Sequence, residues 1–388
     1  MATSRAAVRE MLRDERRALW VYDQNPRQHR ELFGDSIFSV NGGGHARTRD
    51  LLATSLVARN QLRRYAPKVA AICAHHVEAW RGRGVDDLMS ATRELTTQIC
   101  AEVVVGVAES SEREEFHQAI DAFLAAVPVK GRTRWLSARY RRGLRAARTV
   151  RRLCARRMES GCSPDTVLGQ LVRHAPDERT RRSLPHEILA LLVAARETTA
   201  ALLLWAVVEL SLDAEGRQAI RAELADVAES VTLLDRRTCS ALYALIDRAA
   251  HLHSPNMLAL RRLASPLALG GRQLGEGALV AYSPSLGSLN GAQSRHHTAG
   301  GSSPPSDCPA SSDPGPAADS LAFGYGVRAC PGKRLGELIA AALIAAVLPE
   351  LTPRVEVEDL AFGVSFLPLR VPVRPVRLRL EGNRDEGR

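Results

Sequence analysis

The stretch Phe323-Gly324-Tyr325-Gly326-Val327-Arg328-Ala329-Cys330-Pro331-Gly332 constrains this chain more than any other. Its glycines let the backbone turn sharply and let a flat, bulky ligand come close. An apolar helix follows at once, with Leu335, Leu338, Ile339, Ala342, Leu343, Ala346 and Val347 at helical spacing. Pro331 suits a first helical position, where its missing N–H forfeits no bond. Cys330 is therefore expected at a helix N-terminus. Free N–H groups and the positive end of the helix dipole lie there. Both favour a thiolate, the form that binds metals. Phe323 is placed to pack on a ligand held by the cysteine, and Arg328 to meet an anionic group on it. The plainer alternative is a buried free cysteine beside a glycine-rich turn.

A second stretch, Ile188 to Leu210, is long and apolar enough to suggest a membrane span. Arg196, Glu197, Thr198 and Thr199 interrupt its centre, where charge is expensive in lipid, so a buried core helix is predicted. Ser183 is expected to cap it and Pro185 to sit in its first turn. Ala194 and Ala195 are small enough for a flat cofactor to lie against the backbone. Thr198 follows Ala194 by one helical turn, so its hydroxyl reaches that carbonyl and bends the helix locally. A third stretch, Gly42-Gly43-Gly44, precedes His45-Ala46-Arg47-Thr48-Arg49. His45 and Arg49 share a helical face. Such a cationic pair suits carboxylates, and an exposed polar face is the plainer alternative.

Most of the remainder reads as helix, in keeping with abundant Ala, Leu and Arg and 4% aromatic residues. Helical periodicity runs through residues 51–109, 114–127 and 213–253. From Asn256 the chain turns to short strands at residues 258–262, 267–269 and 278–283, with Gly270-Gly271 as a turn. Alternating apolar residues between Phe362 and Leu380 predict C-terminal hairpins. Residues 287–320 are rich in Gly, Ser, Pro and Ala and read as a flexible loop within one domain spanning 1–388.

Seven cysteines with no C-x-x-C pair argue against a zinc site or a disulfide framework. Together with a charged start that lacks a signal-peptide core, they point to a reducing, cytoplasmic setting. The net charge of +10 suggests acidic partners. Between Arg132 and Arg157 eleven arginines alternate with an apolar stripe. The stripe predicts a surface helix with a solvated arginine face. Docking of an acidic redox protein or of nucleic acid is the alternative.

The spelling Phe-x-x-Gly-x-Arg-x-Cys-x-Gly resembles the haem-binding loop of the cytochrome P-450 superfamily of haem-thiolate monooxygenases. Ala194-Ala195-Arg196-Glu197-Thr198-Thr199 is similar to that superfamily's oxygen-binding helix, with Ala195 in place of the commoner Gly. The resemblance covers about residues 32–285 and 320–380. It implies a mainly α haem-thiolate fold with small β-sheets. It makes Cys330 the axial ligand of haem b, within a loop that includes Phe323, Gly324, Arg328 and Gly332. Ala194 and Ala195 would lie against the cofactor, and His45, Arg49 and Arg261 would meet its propionates. Thr198 falls in the oxygen pocket and Glu197 on the proton relay. The implied reaction is hydroxylation of a small apolar or amphipathic substrate with O2. Electrons would come from NAD(P)H through a reductase and a ferredoxin-like donor, with no nucleic acid and no membrane as partner.

Two departures stand out. The superfamily's Glu-x-x-Arg helix reads Arg248-Ala249-Ala250-His251 here, and these two are expected to repel, not pair, when His251 is charged. The arginine-bearing meander that belongs within residues 287–320 is not legible. The chain also reaches the His45 helix early, as if a first helix and sheet strands were missing. A truncated, inactive relative that binds haem weakly or not at all is thus the second reading.

Overall fold

The computed structural model describes residues 5–13, 18–20, 26–40, 42–107, 109–131, 133–227, 229–269, 271–284, 321–356, 362–364 and 370–383. The expected loop at 287–320 lies outside them. Helix α1 (Arg5–Arg13), strand β1 (Ala18–Trp20) and helix α2 (Pro26–Phe33) come first. Helices α3 (Gly42–Leu52), α4 (Arg59–Trp80), α5 (Leu88–Ile99), α6 (Ser110–Ala126), α7 (Ala138–Ser160) and α8 (Val167–His174) follow. The centrepiece is α9 (Glu178–Leu212), then α10 (Ala214–Ala225) and α11 (Ser240–Leu252). Strands β2 (Ala259–Leu263), β3 (Leu267–Leu269), β4 (Arg272–Leu274) and β5 (Leu279–Tyr282) precede α12 (Lys333–Val347). Strands β6 (Leu351–Glu356), β7 (Phe362–Val364), β8 (Arg370–Pro372) and β9 (Arg377–Gly382) complete the order. The mainly α architecture with small sheets expected from the sequence is present.

Helix α9 has 35 residues and so spans about 52 Å. It starts before Ser183, correcting the expected start: Asp177 caps it by accepting from the Thr180 N–H at 2.7 Å. The Ser183 hydroxyl instead donates to the Thr180 carbonyl at 2.7 Å. Pro185 is carried inside the helix. By length and composition α9 would cross a bilayer, yet 67% of that apolar window is buried in the protein. Its partners are α5, α7, α11 and α12, which makes it the core helix predicted.

Helix α12 packs lengthwise on α4, and Cys73 on α4 lies 3.9 Å from the Ile339 carbonyl. Helices α6 and α7 form a tight hairpin. A Cβ at Gly143 would fall 2.1 Å from the Ala126 Cβ, so glycine is what lets the two helices approach.

Strands β1, β2 and β5 form an antiparallel sheet in which Trp20 faces Arg261 and Arg261 faces Val280. Strands β3 and β4 make a hairpin, as do β7 and β8, and β6 pairs with β9. A second apolar cluster joins Val8, Met11 and Leu12 of α1 to Leu263, Val280, Tyr282 and Leu321. Helix α1 and strand β1 thus supply a first helix and a sheet strand ahead of His45, contrary to the expectation that these are missing.

Candidate active site

The cysteine loop is held by its own backbone. Cys330 N–H donates to the Phe323 carbonyl at 2.6 Å, Gly324 N–H to the Leu321 carbonyl at 2.8 Å, and Ala329 N–H to the Gly326 carbonyl at 3.0 Å. Gly324 and Gly326 take φ of +72° and +65°, in the region that favours glycine. At Gly326 a Cβ would also fall 2.2 Å from the Leu12 carbonyl oxygen, because α1 braces the loop from outside. The Arg9 guanidinium lies over the Tyr325 ring at 5.2 Å.

Helix α12 begins at Lys333 with Gly332 at its N-cap, so Cys330 and Pro331 sit in the turn leading into it. This shifts the expected start by two residues but keeps the chemistry. The Gly332 and Lys333 N–H groups and the positive charges of Arg49 and Lys333 all favour the Cys330 thiolate. Burial acts more strongly and pushes the thiol up overall. Cys330 nevertheless presents accessible surface. That exposure is of the residue as a whole, while the thiol itself is closely surrounded by protein. A thiol whose thiolate is favoured by two N–H groups and two nearby cations is suited to bind a metal and release its proton.

The other candidate residues lie at the centre of helix α9. Ala194 is exposed, and Ala195 and Thr198 are half-buried, within a helix whose other central residues are mostly buried. The Thr198 hydroxyl donates to the Ala194 carbonyl at 2.6 Å, as the spacing predicts. Glu197 is buried, at 3% exposed. Its Oε2 accepts from Arg93 Nε and Nη2 at 3.1 and 3.0 Å, and its Oε1 from Arg196 Nη1 at 2.6 Å. Arg196 reaches on to Asp121 at 2.6 Å. Arg93 and Asp121 lie far from Glu197 in sequence, and no spacing rule singles them out.

The cationic set gathers around the cysteine loop from three elements. His45 on α3 is buried, and Arg49 acts electrostatically on Cys330 while burial lowers its own pKa. Arg328 donates to the Val40 carbonyl at 3.4 Å, which ties the cysteine loop to the entry of α3. Arg261 on β2 is 3% exposed, bonds the Tyr282 hydroxyl at 3.2 Å and lies over its ring. Tyr282 shares its apolar cluster with Leu321 and Tyr325 of the loop, which brings Arg261 to the same region. The Phe323 ring lies 5.2 Å from Lys333 Nζ. The chemistry of the donor set fits a haem: a thiol whose thiolate is favoured by its surroundings, small side chains at the centre of α9, and guanidinium groups for two carboxylates.

Arg248 pairs with Glu209 at 3.2 Å and Asp213 at 2.6 Å, both on or beside α9. Glu209 also meets His253 at 2.8 Å, and the His253 ring stacks on Trp205 at 4.1 Å. His251 stands half-buried at the last turn of α11. Arginine at 248 is accommodated because the acidic partners lie on the next helix, out of reach of any local pattern.

No family model matches the sequence. Among curated proteins, a Mycobacterium tuberculosis protein named as cytochrome P-450 135A1 is 26% identical over 63% of this chain and 55% of its own length. The cyclooctat-9-en-7-ol 5-monooxygenase of Streptomyces melanosporofaciens is 25% identical over 69% of this chain and 60% of its own. The chain thus spans rather more than half the length of the curated relatives it matches. Among solved structures, a cyanobacterial CYP120A1 with retinoic acid bound superposes with a TM-score of 0.77 at 19% identity, covering 98% of this chain and 88% of that one. The haem domain of cytochrome P-450DA gives the same score at 17% identity, with 98% and 87% covered.

Proposed function

This chain belongs to the cytochrome P-450 superfamily, and from that premise we propose that it is a haem-thiolate monooxygenase. The observation that carries the reading is Cys330 in a backbone-bonded glycine loop at the entry of α12, with the Gly332 and Lys333 N–H groups and the Arg49 and Lys333 charges favouring its thiolate. Cys330 would hold the iron of haem b. Arg49, Arg328, Arg261 and His45 would take the propionates, and Phe323 and Ala194 would bound the ring. When bound, the haem supplies O2 activation, with the thiolate donating electron density.

The chain's own residues have narrower tasks. Cys330 gives up its thiol proton on ligation, aided by the Gly332 and Lys333 N–H groups. Thr198 keeps its oxygen at the open side of α9 while its proton is committed to the Ala194 carbonyl, so an incoming donor meets a free lone pair. Glu197, tied to Arg93 and Arg196, anchors the proton route on its outer side, where Asp121 is exposed. Overall, one substrate C–H bond, one O2, two electrons and two protons give an alcohol and water.

An apolar or amphipathic substrate is in keeping with two similar proteins, whose names carry retinoic acid and cyclooctat-9-en-7-ol. The electron donor we infer is a small acidic protein of ferredoxin type. A cleft of about 470 Å³ supports this, lined by Arg59, Arg236, Arg237 and Arg334 with one acidic residue, Asp235. Arg334 stands one turn past Cys330. A cytoplasmic setting is part of the same proposal.

The test is the absorption spectrum of purified, reduced protein with and without CO. A red-shifted Soret band that is lost in Cys330→Ala supports the reading. A band of neutral ligation, or a chain that takes up no haem, favours the inactive relative.

A further inference from the structure

We propose that the arginine-lined cleft beside α12 is a binding site for a small molecule that carries two or more linked phosphates. Its guanidinium groups come from three separate places in the chain. Arg59 opens α4, Arg236 and Arg237 stand in the turn ahead of α11, and Arg334 lies in the first turn of α12. Arg236 is already engaged. It contacts Asp247, donates to Glu337 at 3.0 Å and lies over the Tyr243 ring at 4.4 Å. Arg59, Arg237 and Arg334 are exposed and make no ion pair with a carboxylate among the described residues. The acidic residue in the lining, Asp235, is turned to the backbone, where its Oδ1 accepts the Arg237 N–H at 3.0 Å. On α7, by contrast, Arg152, Arg156 and Arg157 are neutralised by Glu112 and Glu115 of α6. Three bare cations gathered round one cleft repel each other, and a bound anion relieves that.

The ligand follows from charge, size and lining. Guanidinium groups take phosphate oxygens in pairs. A single carboxylate would leave two of the three cations unmatched, whereas two linked phosphates carry roughly three negative charges at neutral pH. The cleft holds about 470 Å³, the size of a small-molecule site. Val57, Leu62, Leu234 and Tyr243 complete the lining and give an organic body an apolar wall. A nucleoside diphosphate combines both parts. The same cleft is where the acidic electron donor is placed above, so ligand and donor would meet the same cations and exclude each other. That consequence rests on the donor reading, and the site itself does not.

The test is titration calorimetry of the full chain with ADP, with pyrophosphate and with sulfate, at matched ionic strength. Saturable binding of ADP and pyrophosphate is expected, with sulfate roughly tenfold weaker or more. ADP bound more tightly than pyrophosphate points to a nucleotide, and equal binding to the bare polyphosphate. Arg59→Gln and Arg237→Gln should each weaken ADP about tenfold. Arg145→Gln, exposed on α7 and outside the cleft, should leave it unchanged. Unchanged melting of the variants checks that folding is intact. No saturable binding, or sulfate bound as well as ADP, would overturn the proposal. So would an equal loss in Arg145→Gln, which marks diffuse attraction to a chain of net charge +10. Saturating ADP should also slow stopped-flow reduction by an acidic donor about tenfold. ADP binding without that slowing keeps the site and removes the donor reading, so the two failures are told apart.

Discussion

Glu187 lies buried on α9 and accepts the Ile37 N–H at 2.9 Å. Burial raises its carboxyl from 4.5 to about 7, and that single bond lowers it only in part. The folded chain therefore holds this proton more tightly than the unfolded one does. Stability falls as pH rises from 4.5 through about 7, with the full loss of about 3 kcal/mol present above that. Glu187→Gln keeps an acceptor for Ile37 and removes the charge. Its melting temperature should exceed that of the parent above neutral pH and converge with it in acid. Cysteine chemistry gives a second prediction at this scale. Cys73, Cys100 and Cys154 are pushed up to about 12 by burial, and Cys330 is the exposed cysteine among the described residues. Of the described cysteines, a thiol alkylator should mark Cys330 first in the haem-free protein, and added haemin should suppress the labelling at that position. Equal labelling with haemin present would count against ligation. Cys330 and Thr198 were legible in the sequence because their neighbours in the chain are also their partners in space. Arg93, Asp121 and Glu209 were not, since each pairs across elements.

Between elements, Arg236 joins α11 to α12. It contacts Asp247, donates to Glu337 at 3.0 Å and lies over Tyr243. Glu337 is 1% exposed, and its other cation, Lys333, stands 3.6 Å away. Burial pushes the Glu337 carboxyl up, so removing Arg236 strands a charge. Arg236→Met should destabilise by roughly 2–4 kcal/mol, less than a fully buried pair because the arginine is partly exposed. Adding Glu337→Leu should restore most of the loss, and denaturant melts of the double variant decide it. Gly326→Ala is the second test, since a Cβ there meets the Leu12 carbonyl at a φ of +65°. It should lower stability by about 1–3 kcal/mol. The helices were readable from periodicity, and α9 most of all. Its start was misread because Pro185 looked like a first-turn residue, while Asp177 makes the cap. Strand β1 escaped notice because three residues carry no alternation, and its pairing with β2 comes from far along the chain.

For the whole molecule, the net charge of +10 is unevenly spread. One concentration lies in the cleft of Arg59, Arg237 and Arg334, near the cysteine helix. Arg237→Glu with Arg334→Glu should slow reduction by an acidic donor about tenfold at low salt and far less at high salt. Stopped-flow reduction of the CO complex reads this directly. The sequence could announce the excess of arginine and its acidic partners. Where the excess is neutralised and where it is left bare depends on which helices meet, and only the packing of α6 on α7 shows that.

The contact between Gly326 and Leu12 ties the cysteine loop to the first described helix. Segments that distant meet late in folding, because closing so large a loop is slow and earns no local contacts on the way. During synthesis, the brace is made first and waits for the loop that it supports. Until that contact closes, the cysteine loop lacks its outer brace, so the loop's final shape is set by a seam between two segments far apart in sequence.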